Sequence, residues 1–406
     1  MKKLSVIICV YNTDGKLFEK CLKSVFNSTI KDKEVIIVDD GSTVNYSSIV
    51  NRFDVKYFKT ENQGTLKARI FGVKQAMGSH ICFVDSDDII SFNYLAASMI
   101  EIKDADIILN DWAFNTQGSK YFCGNDSSIT TNFVENIPLN KFFASNGTEH
   151  SYQVLWNKIF KKEVLVSAFE EILKLSLAEL SYAEDILISY FTYKNSKQVI
   201  NTHLGYYFYT IHNNQQINVQ NKNKLLNHIN SASCVFNIIE DDLKINNNFE
   251  KYQTNFYKWK QLICSLMVVN AKKLKLKGID NLIIQKFNGC KLKKSMRKGD
   301  YAYFNHKLLP NNIAEIDSVL EKIYFSNKVL KVYAKKGGYA YKTLSKMKEM
   351  FYLKFKFASK KEADIIMPKE QISFKQKVLH NNLICKIGMF LFPKGSKIRS
   401  ILKKKL

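Results

Sequence analysis

One stretch limits what this chain can fold into more than any other: Ile81-Cys82-Phe83-Val84-Asp85-Ser86-Asp87-Asp88. Four consecutive apolar residues are too few for a helix and read as a strand covered on both faces, as in a parallel sheet. The run ends abruptly in three acids within four residues. Acids so crowded repel one another and would cost solvation if buried unpaired. A divalent cation relieves both effects, since hard cations prefer oxygen ligands. In open α/β sheets, ligands bind at the carboxyl ends of the strands. This strand end is therefore the candidate site, and a metal–phosphate centre is its simplest chemistry. A surface turn with solvated acids is the plainer alternative.

The residues before it supply the rest of a sheet. Leu4–Val10 is a continuous apolar, β-branched run, closed by Tyr11-Asn12. Gly15–Phe26 has helical spacing, with Leu17, Cys21, Leu22, Val25 and Phe26 on one side. Glu34–Val38 is a second buried strand, ended by Asp39-Asp40-Gly41-Ser42, and Val55–Phe58 is a shorter one. Asn62-Gln63-Gly64 is a turn signal, and Thr65–Ala76 reads as a helix. Such alternation predicts a doubly wound, mostly parallel α/β sheet with right-handed crossovers. There is no GxGxxG after the first strand and no GxxxxGK[ST], so neither the dinucleotide nor the Walker phosphate motif is present.

A chain of 406 residues exceeds one ordinary core, and two or three domains are expected. Charge suggests where they divide. Residues 1–230 hold 24 Lys and Arg against 24 Asp and Glu, leaving 37 and 13 of the totals 61 and 37 for residues 231–406. The whole net charge of +24 thus falls in the second half. The eight cysteines form no CxxC pairs, and several lie in apolar runs, which argues for a reducing compartment and against zinc or a disulfide framework. Met-Lys-Lys leads straight into a strand, so no signal peptide is expected. No apolar run approaches the roughly 20 residues that span a bilayer.

Four motifs in order carry a resemblance: V-I-I-C-V-Y-N, I-V-D-D-G-S-T, E-N-Q-G-T-L-K-A-R and F-V-D-S-D-D-I. Together they resemble the nucleotide-binding half of the family-2 glycosyltransferases, over roughly residues 1–215. The resemblance implies the GT-A fold and a UDP-sugar donor. By it, Tyr11, Asn12 and Asp40 would hold uracil and ribose, with the Tyr11 ring stacked on the base. Arg69 would pair with the nucleotide or its diphosphate, and Asp85, next to Ser86, would touch the ribose. Asp87 would ligate the metal, Mn2+ or Mg2+.

Farther on, Leu155-Trp156-Asn157-Lys158-Ile159-Phe160-Lys161 resembles the family's W-N-K segment, which precedes the acceptor side of the cleft. The resemblance puts Trp156 and Lys158 among the substrate contacts, with Trp156 stacking on a sugar or, alternatively, sitting in the core. Tyr182-Ala183-Glu184-Asp185 matches the family's E-D motif, with Asp185 implied as the base that deprotonates the acceptor hydroxyl and Glu184 as a substrate contact. Tyr206–Gln216 resembles a segment that covers the diphosphate, but Thr210 and Gln215 replace its usual Arg and Ser. His212 stands at an Arg/His position and is a candidate phosphate contact or metal ligand.

Beyond residue 220 no motif carries over. Ala232–Ile239 and Tyr257–Lys275 read as helices, punctuated by Asn246-Asn247-Asn248 and Lys277-Gly278. The expected organisation is a GT-A domain over 1–220, a helical domain over 221–370 and a basic amphipathic segment over 371–406. That last stretch has nine Lys or Arg and no acid, interleaved with Phe390, Phe392 and other apolar residues, a make-up suited to anionic lipid. The expected protein is an inverting, metal-dependent transferase. It would act on a glycan or lipid-linked acceptor at the inner face of the cell membrane, without a nucleic-acid partner. The rivals are an inactive relative that only binds a nucleotide-sugar or glycan, and a basic nucleic-acid-binding protein.

Overall fold

The computed structural model describes residues 4–292 except 29, 31, 92–93, 97–104, 116–121, 124–133, 145–149, 176, 178–179, 211, 213–218 and 291. The chain divides into two compact units, residues 1–111 with 126–308 and residues 112–125 with 309–406. The described part of the second unit includes a short antiparallel ribbon, Ala113 opposite Cys123 and Phe114 opposite Phe122. The expected segment 371–406, and most of 221–370 beyond residue 292, lie outside the described residues.

The first unit opens as expected. Strand β1 (Leu4–Val10) leads to helix α1 (Gly15–Phe26), whose N-terminus is capped by the Asp14 carboxylate accepting from Lys16 N and Leu17 N. Then come β2 (Lys33–Asp39), the one-turn helix α2 (Ser47–Val50), β3 (Lys56–Lys59), α3 (Thr65–Gln75) and β4 (His80–Phe83). Strands β1, β2, β3 and β4 are all parallel, in the order β3-β2-β1-β4. Gly72 lets α3 lie close on the sheet: a Cβ there would come within 2.6 Å of Ile7 Cγ2.

The remaining strands extend the sheet antiparallel. They are β5 (Ile89–Ile90), β6 (Ile107–Asn115), β7 (Phe122–Cys123), β8 (Val134–Glu135), β9 (Lys158–Lys161) and β10 (Val199–Thr210). Strand β9 inserts between β4 and β6, and β10 pairs with β5 through Tyr207 opposite Ile90. Helix α4 (Pro138–Phe142) precedes β9, while α5 (Lys162–Leu173) and α6 (Glu184–Asn195) follow it. The fold is the mixed α/β GT-A arrangement.

Three helices follow: α7 (Lys222–Ile245), α8 (Phe249–Lys273) and α9 (Ile279–Lys286). The Asn-rich and Lys-Gly turns separate them where the sequence indicates. A single buried core runs from Ile7 in the sheet to Phe287 after α9. Phe236 of α7 and Trp259 of α8 meet edge to face at 4.7 Å, and Trp259 meets Phe142 of α4 at 5.6 Å. Apolar burial of roughly 1.5–3 kcal/mol per large side chain joins the interior across residue 220.

Candidate active site

The carboxyl ends of β1, β2 and β4 each finish in polar residues that bind one another before any ligand is considered. At the end of β2, Asp39 is fully buried and accepts from Ser42 N and the Tyr57 hydroxyl. Asp40 accepts from Gln63 N at 2.9 Å and Gly64 N at 3.0 Å, fixing the start of α3. Gly41 sits at φ +79°, which this sharp turn needs and a side chain would strain. After β1, Asn12 adopts φ 51°, and its Oδ1 accepts from both the amide and the hydroxyl of Thr43 at 2.9 Å. Tyr11 projects into solvent at 53% exposure, and its ring is open for stacking.

After β4 the acids are not left to repel one another. Arg69, 6% exposed on α3, places one guanidinium nitrogen 3.1 Å from Glu184 Oε1 and the other 3.4 Å from Asp85 Oδ1. Asp87 Oδ2 lies 2.7 Å from His212 Nε2, just past β10. Asp88, buried, accepts from the Tyr207 hydroxyl at 2.7 Å and from Thr210 N at 2.6 Å. The Tyr207 hydroxyl also accepts from Asp85 N at 3.0 Å, so it ties both ends of the carboxylate turn to β10. Ser86 shares a 2.6 Å hydrogen bond with Thr13.

The electrostatics follow from this crowding. Burial raises the Asp85 carboxyl to about 6, with Arg69 opposing and Asp87 and Glu184 adding to the rise. Asp185 heads helix α6 beside Glu184, after Ala183 in the left-handed region at φ 67°. Burial raises Asp185 to about 7, Glu184 adds to it and Arg69 opposes. Asp88 is also raised, by burial first and then by Asp87 and Asp85. Asp85, Glu184 and Asp185 crowd around one arginine. The centre is short of positive charge, and it holds at Asp185 a carboxyl suited to taking a proton near neutral pH.

Residues 5–165 match the family model described as Glycosyl transferase family 2. That stretch is similar to the family-2 glycosyltransferases. Glycosyltransferase GlyA of Streptococcus pneumoniae is 30% identical over 220 residues, 52% of this chain and 30% of that protein. Glycosyltransferase GlyG of the same species is 34% identical over 130 residues, 29% of this chain and 42% of its own length. The chain thus spans less than half the length of these two curated relatives. The putative glycosyltransferase EpsH of Bacillus subtilis is 27% identical over 283 residues, 66% of this chain and 77% of that protein. Among solved structures, residues 1–349 of S. aureus TarS share the fold at a TM-score of 0.53 and 19% identity, covering 87% of this chain and 91% of that one.

Some expected contacts take other roles in the structure. Lys158 is a correction. Its ammonium is fully buried and donates to the carbonyls of Ser151 and Val154 and to Asn157 Oδ1, so it organises the turn before β9 and does not reach a substrate. Lys158→Met, which keeps the length and removes the donors, is expected to destabilise the fold by about 2–4 kcal/mol, because each stranded acceptor costs about 1–3 kcal/mol. Thermal unfolding measures this, and an unchanged melting temperature would contradict it. Trp156 is the second correction. It is 7% exposed and stacks on Tyr207 at 4.6 Å and 24°, so the core alternative holds and its face is not offered to a sugar. Arg69 sets its fork between Asp85 and Glu184.

Sequence reasoning missed Asp39, Asp88 and Tyr207. Asp88 was visible as the third acid of the knot, and Tyr207 lies in the aromatic run 206–209. Nothing local said that they would bond each other across 119 positions.

Proposed function

We propose that the chain is an inverting, metal-dependent glycosyltransferase that moves a hexosyl or N-acetylhexosaminyl group from a UDP-sugar to a hydroxyl of a membrane-proximal surface glycan. The observation that carries this reading is the placement of Asp185. A carboxyl raised to about 7 heads a helix beside Glu184, and Glu184 is joined through Arg69 to the carboxylate end of β4.

In that reading Tyr11 stacks on the uracil, while Asn12 and Asp40 shape the pocket that takes base and ribose. Asp85 stays partly open, at 34% of its side chain, and faces the ribose. Asp185 takes the proton of the acceptor hydroxyl as its oxygen bonds to the anomeric carbon. The bond from that carbon to the diphosphate oxygen breaks on the opposite face, so configuration inverts and UDP leaves with the bonding pair.

Asp87 and His212 fit a divalent cation, because a carboxylate oxygen and an imidazole nitrogen from separate segments already meet at 2.7 Å in a site short of positive charge. Among the described residues no group of three or more His, Cys, Asp or Glu side chains forms a complete metal site. The two would therefore hold a cation shared with the donor's phosphates. When bound, Mn2+ or Mg2+ would neutralise charge on the leaving diphosphate. Asp87→Asn is expected to abolish metal-dependent UDP binding and transfer while the melting profile stays within a few degrees of wild type. Calorimetric titration of UDP with and without manganese measures this, and full turnover by the variant in chelator-treated buffer would refute it.

No helix among the described residues is long and apolar enough to cross a membrane. Docking on the cytoplasmic face of an anionic membrane would fall to the acid-free stretch 371–406. The direct test of the reading is consumption of a panel of UDP-sugars with manganese, with and without glycan acceptors. A chain that neither binds nor turns over any of them would overturn it.

A further inference from the structure

Tyr207 on β10 is fully buried, and its hydroxyl makes two hydrogen bonds to the turn that ends β4. It donates to Asp88 Oδ2 at 2.7 Å and accepts from Asp85 N at 3.0 Å. Apolar burial needs only the ring, so the hydroxyl answers to the turn. The other Asp88 oxygen, Oδ1, accepts from Thr210 N at 2.6 Å. Both oxygens of Asp88 are thus occupied, and the carboxylate faces inward at 1% exposure. Its neighbour Asp87 keeps 27% of its side chain in water and meets His212 Nε2 at 2.7 Å. Two adjacent acids therefore point to opposite sides of one turn, and the inward one is fixed by β10.

The same clasp sets the other half of the pair. Thr210 stands two residues before His212, so the bond from its amide to Asp88 fixes where β10 ends and where His212 begins. Asp87 and His212 come from separate segments, yet both are referenced to one buried carboxylate. The Tyr207 ring is in turn held from behind. Trp156 stacks on it at 4.6 Å and 24°, and Tyr94 meets its edge at 6.2 Å. The Tyr94 hydroxyl donates to the Trp156 carbonyl at 2.9 Å, which ties the two supports together. The segment 155–161 therefore reaches the site through Tyr207.

We propose that Tyr207 is a positioning residue for the Asp87–His212 pair, held in place by the Trp156 stack. At 0% exposure it reaches neither donor nor cation. Its hydroxyl keeps Asp88 turned inward, so that Asp87 is presented outward, opposite the imidazole. Without that bond the buried Asp88 oxygen loses a partner, and the turn can roll to regain one. Partners one step behind a metal's ligands are commonly worth about 10–100-fold in metal affinity. The proposal rests on the reading of Asp87 and His212 as ligands of a divalent cation shared with the donor.

The test is calorimetric titration of UDP into the full chain, with manganese and with chelator, alongside thermal unfolding. Tyr207→Phe keeps the stacked ring and removes only the hydroxyl. Its UDP affinity in manganese is expected to fall about tenfold or more, while its affinity in chelator is unchanged. Tyr190→Phe is the control, because it removes a like hydroxyl that donates to Asp242 Oδ2 at 2.6 Å, outside the carboxylate turn. It is expected to melt lower, as Tyr207→Phe does, and to keep the full manganese gain. Trp156→Phe is expected to reduce that gain alone and to add nothing in the Tyr207→Phe background, since both act through one hydroxyl. Should Tyr207→Phe not fold, Asp88→Asn replaces it with the same expectation, because its amide cannot accept from both Tyr207 and Thr210. Equal losses with and without manganese, or an equal loss in Tyr190→Phe, overturn the positioning role. A wild type with the manganese gain and a Tyr207→Phe variant that keeps it overturn that role alone. A wild type that binds UDP without any manganese gain overturns the cation reading and the positioning role with it.

Discussion

Asp185→Asn is expected to lower the rate of glycosyl transfer by about 10²-fold or more, the usual contribution of a general base, while UDP affinity stays within a few-fold. The amide keeps the shape of the carboxyl at the head of α6 and can accept no proton. The wild-type pH profile should carry the same signature. Only the ionised carboxyl is a base, so with Asp185 raised to about 7 the rate climbs with pH below that value and levels above it. In the variant that limb disappears. Stability runs the other way. The folded protein binds the Asp185 proton more tightly than an exposed aspartate would, so stability linked to this group is present at low pH and lost as pH rises toward 7. Removing the charge therefore costs the fold nothing, and the variant should melt no lower than wild type near pH 8. A collapse of UDP affinity together with the rate would place Asp185 in the donor site instead.

How much of this was legible in the sequence depends on the range of the interaction. The parallel strands β1, β2 and β4 announce themselves as apolar runs, because burial on both faces is a local property of the residues. The Asn and Gly turns are legible for the same reason. What joins distant positions is not. Arg69 reads as a cation near a donor site. That its nitrogens close on Glu184, 115 positions away, depends on where α6 ends up. Lys158 reads as a substrate contact because the segment 155–161 resembles the family's W-N-K segment. It is buried because the turn at 151–157 offers it oxygens, which no local pattern reveals.

The Arg69 clamp makes the second large prediction. Arg69→Met removes the cation held between Glu184 and Asp85 and leaves two crowded carboxylates uncompensated. Breaking one partner out of a buried ion pair costs about 3–5 kcal/mol, and the lower end applies because Asp85 keeps 34% of its side chain in water. The loss should depend on pH in a direction that packing alone cannot produce. Without Arg69, Asp85 and Asp185 lose a neighbour that lowers their pKa values, so both titrate higher than in wild type. Protonation relieves the repulsion, so the deficit in melting temperature should be largest near pH 8 and shrink toward about pH 5.5. The acid limb of the rate profile should move to higher pH for the same reason. Adding Glu184→Gln to the variant should restore part of the stability at pH 8, since one of the stranded charges is gone. Equal deficits at both pH values, with no recovery in the double variant, would mean that Arg69 acts as packing. In that case the carboxylates at the end of β4 must owe their arrangement to Tyr207, Thr210 and His212 on the opposite side.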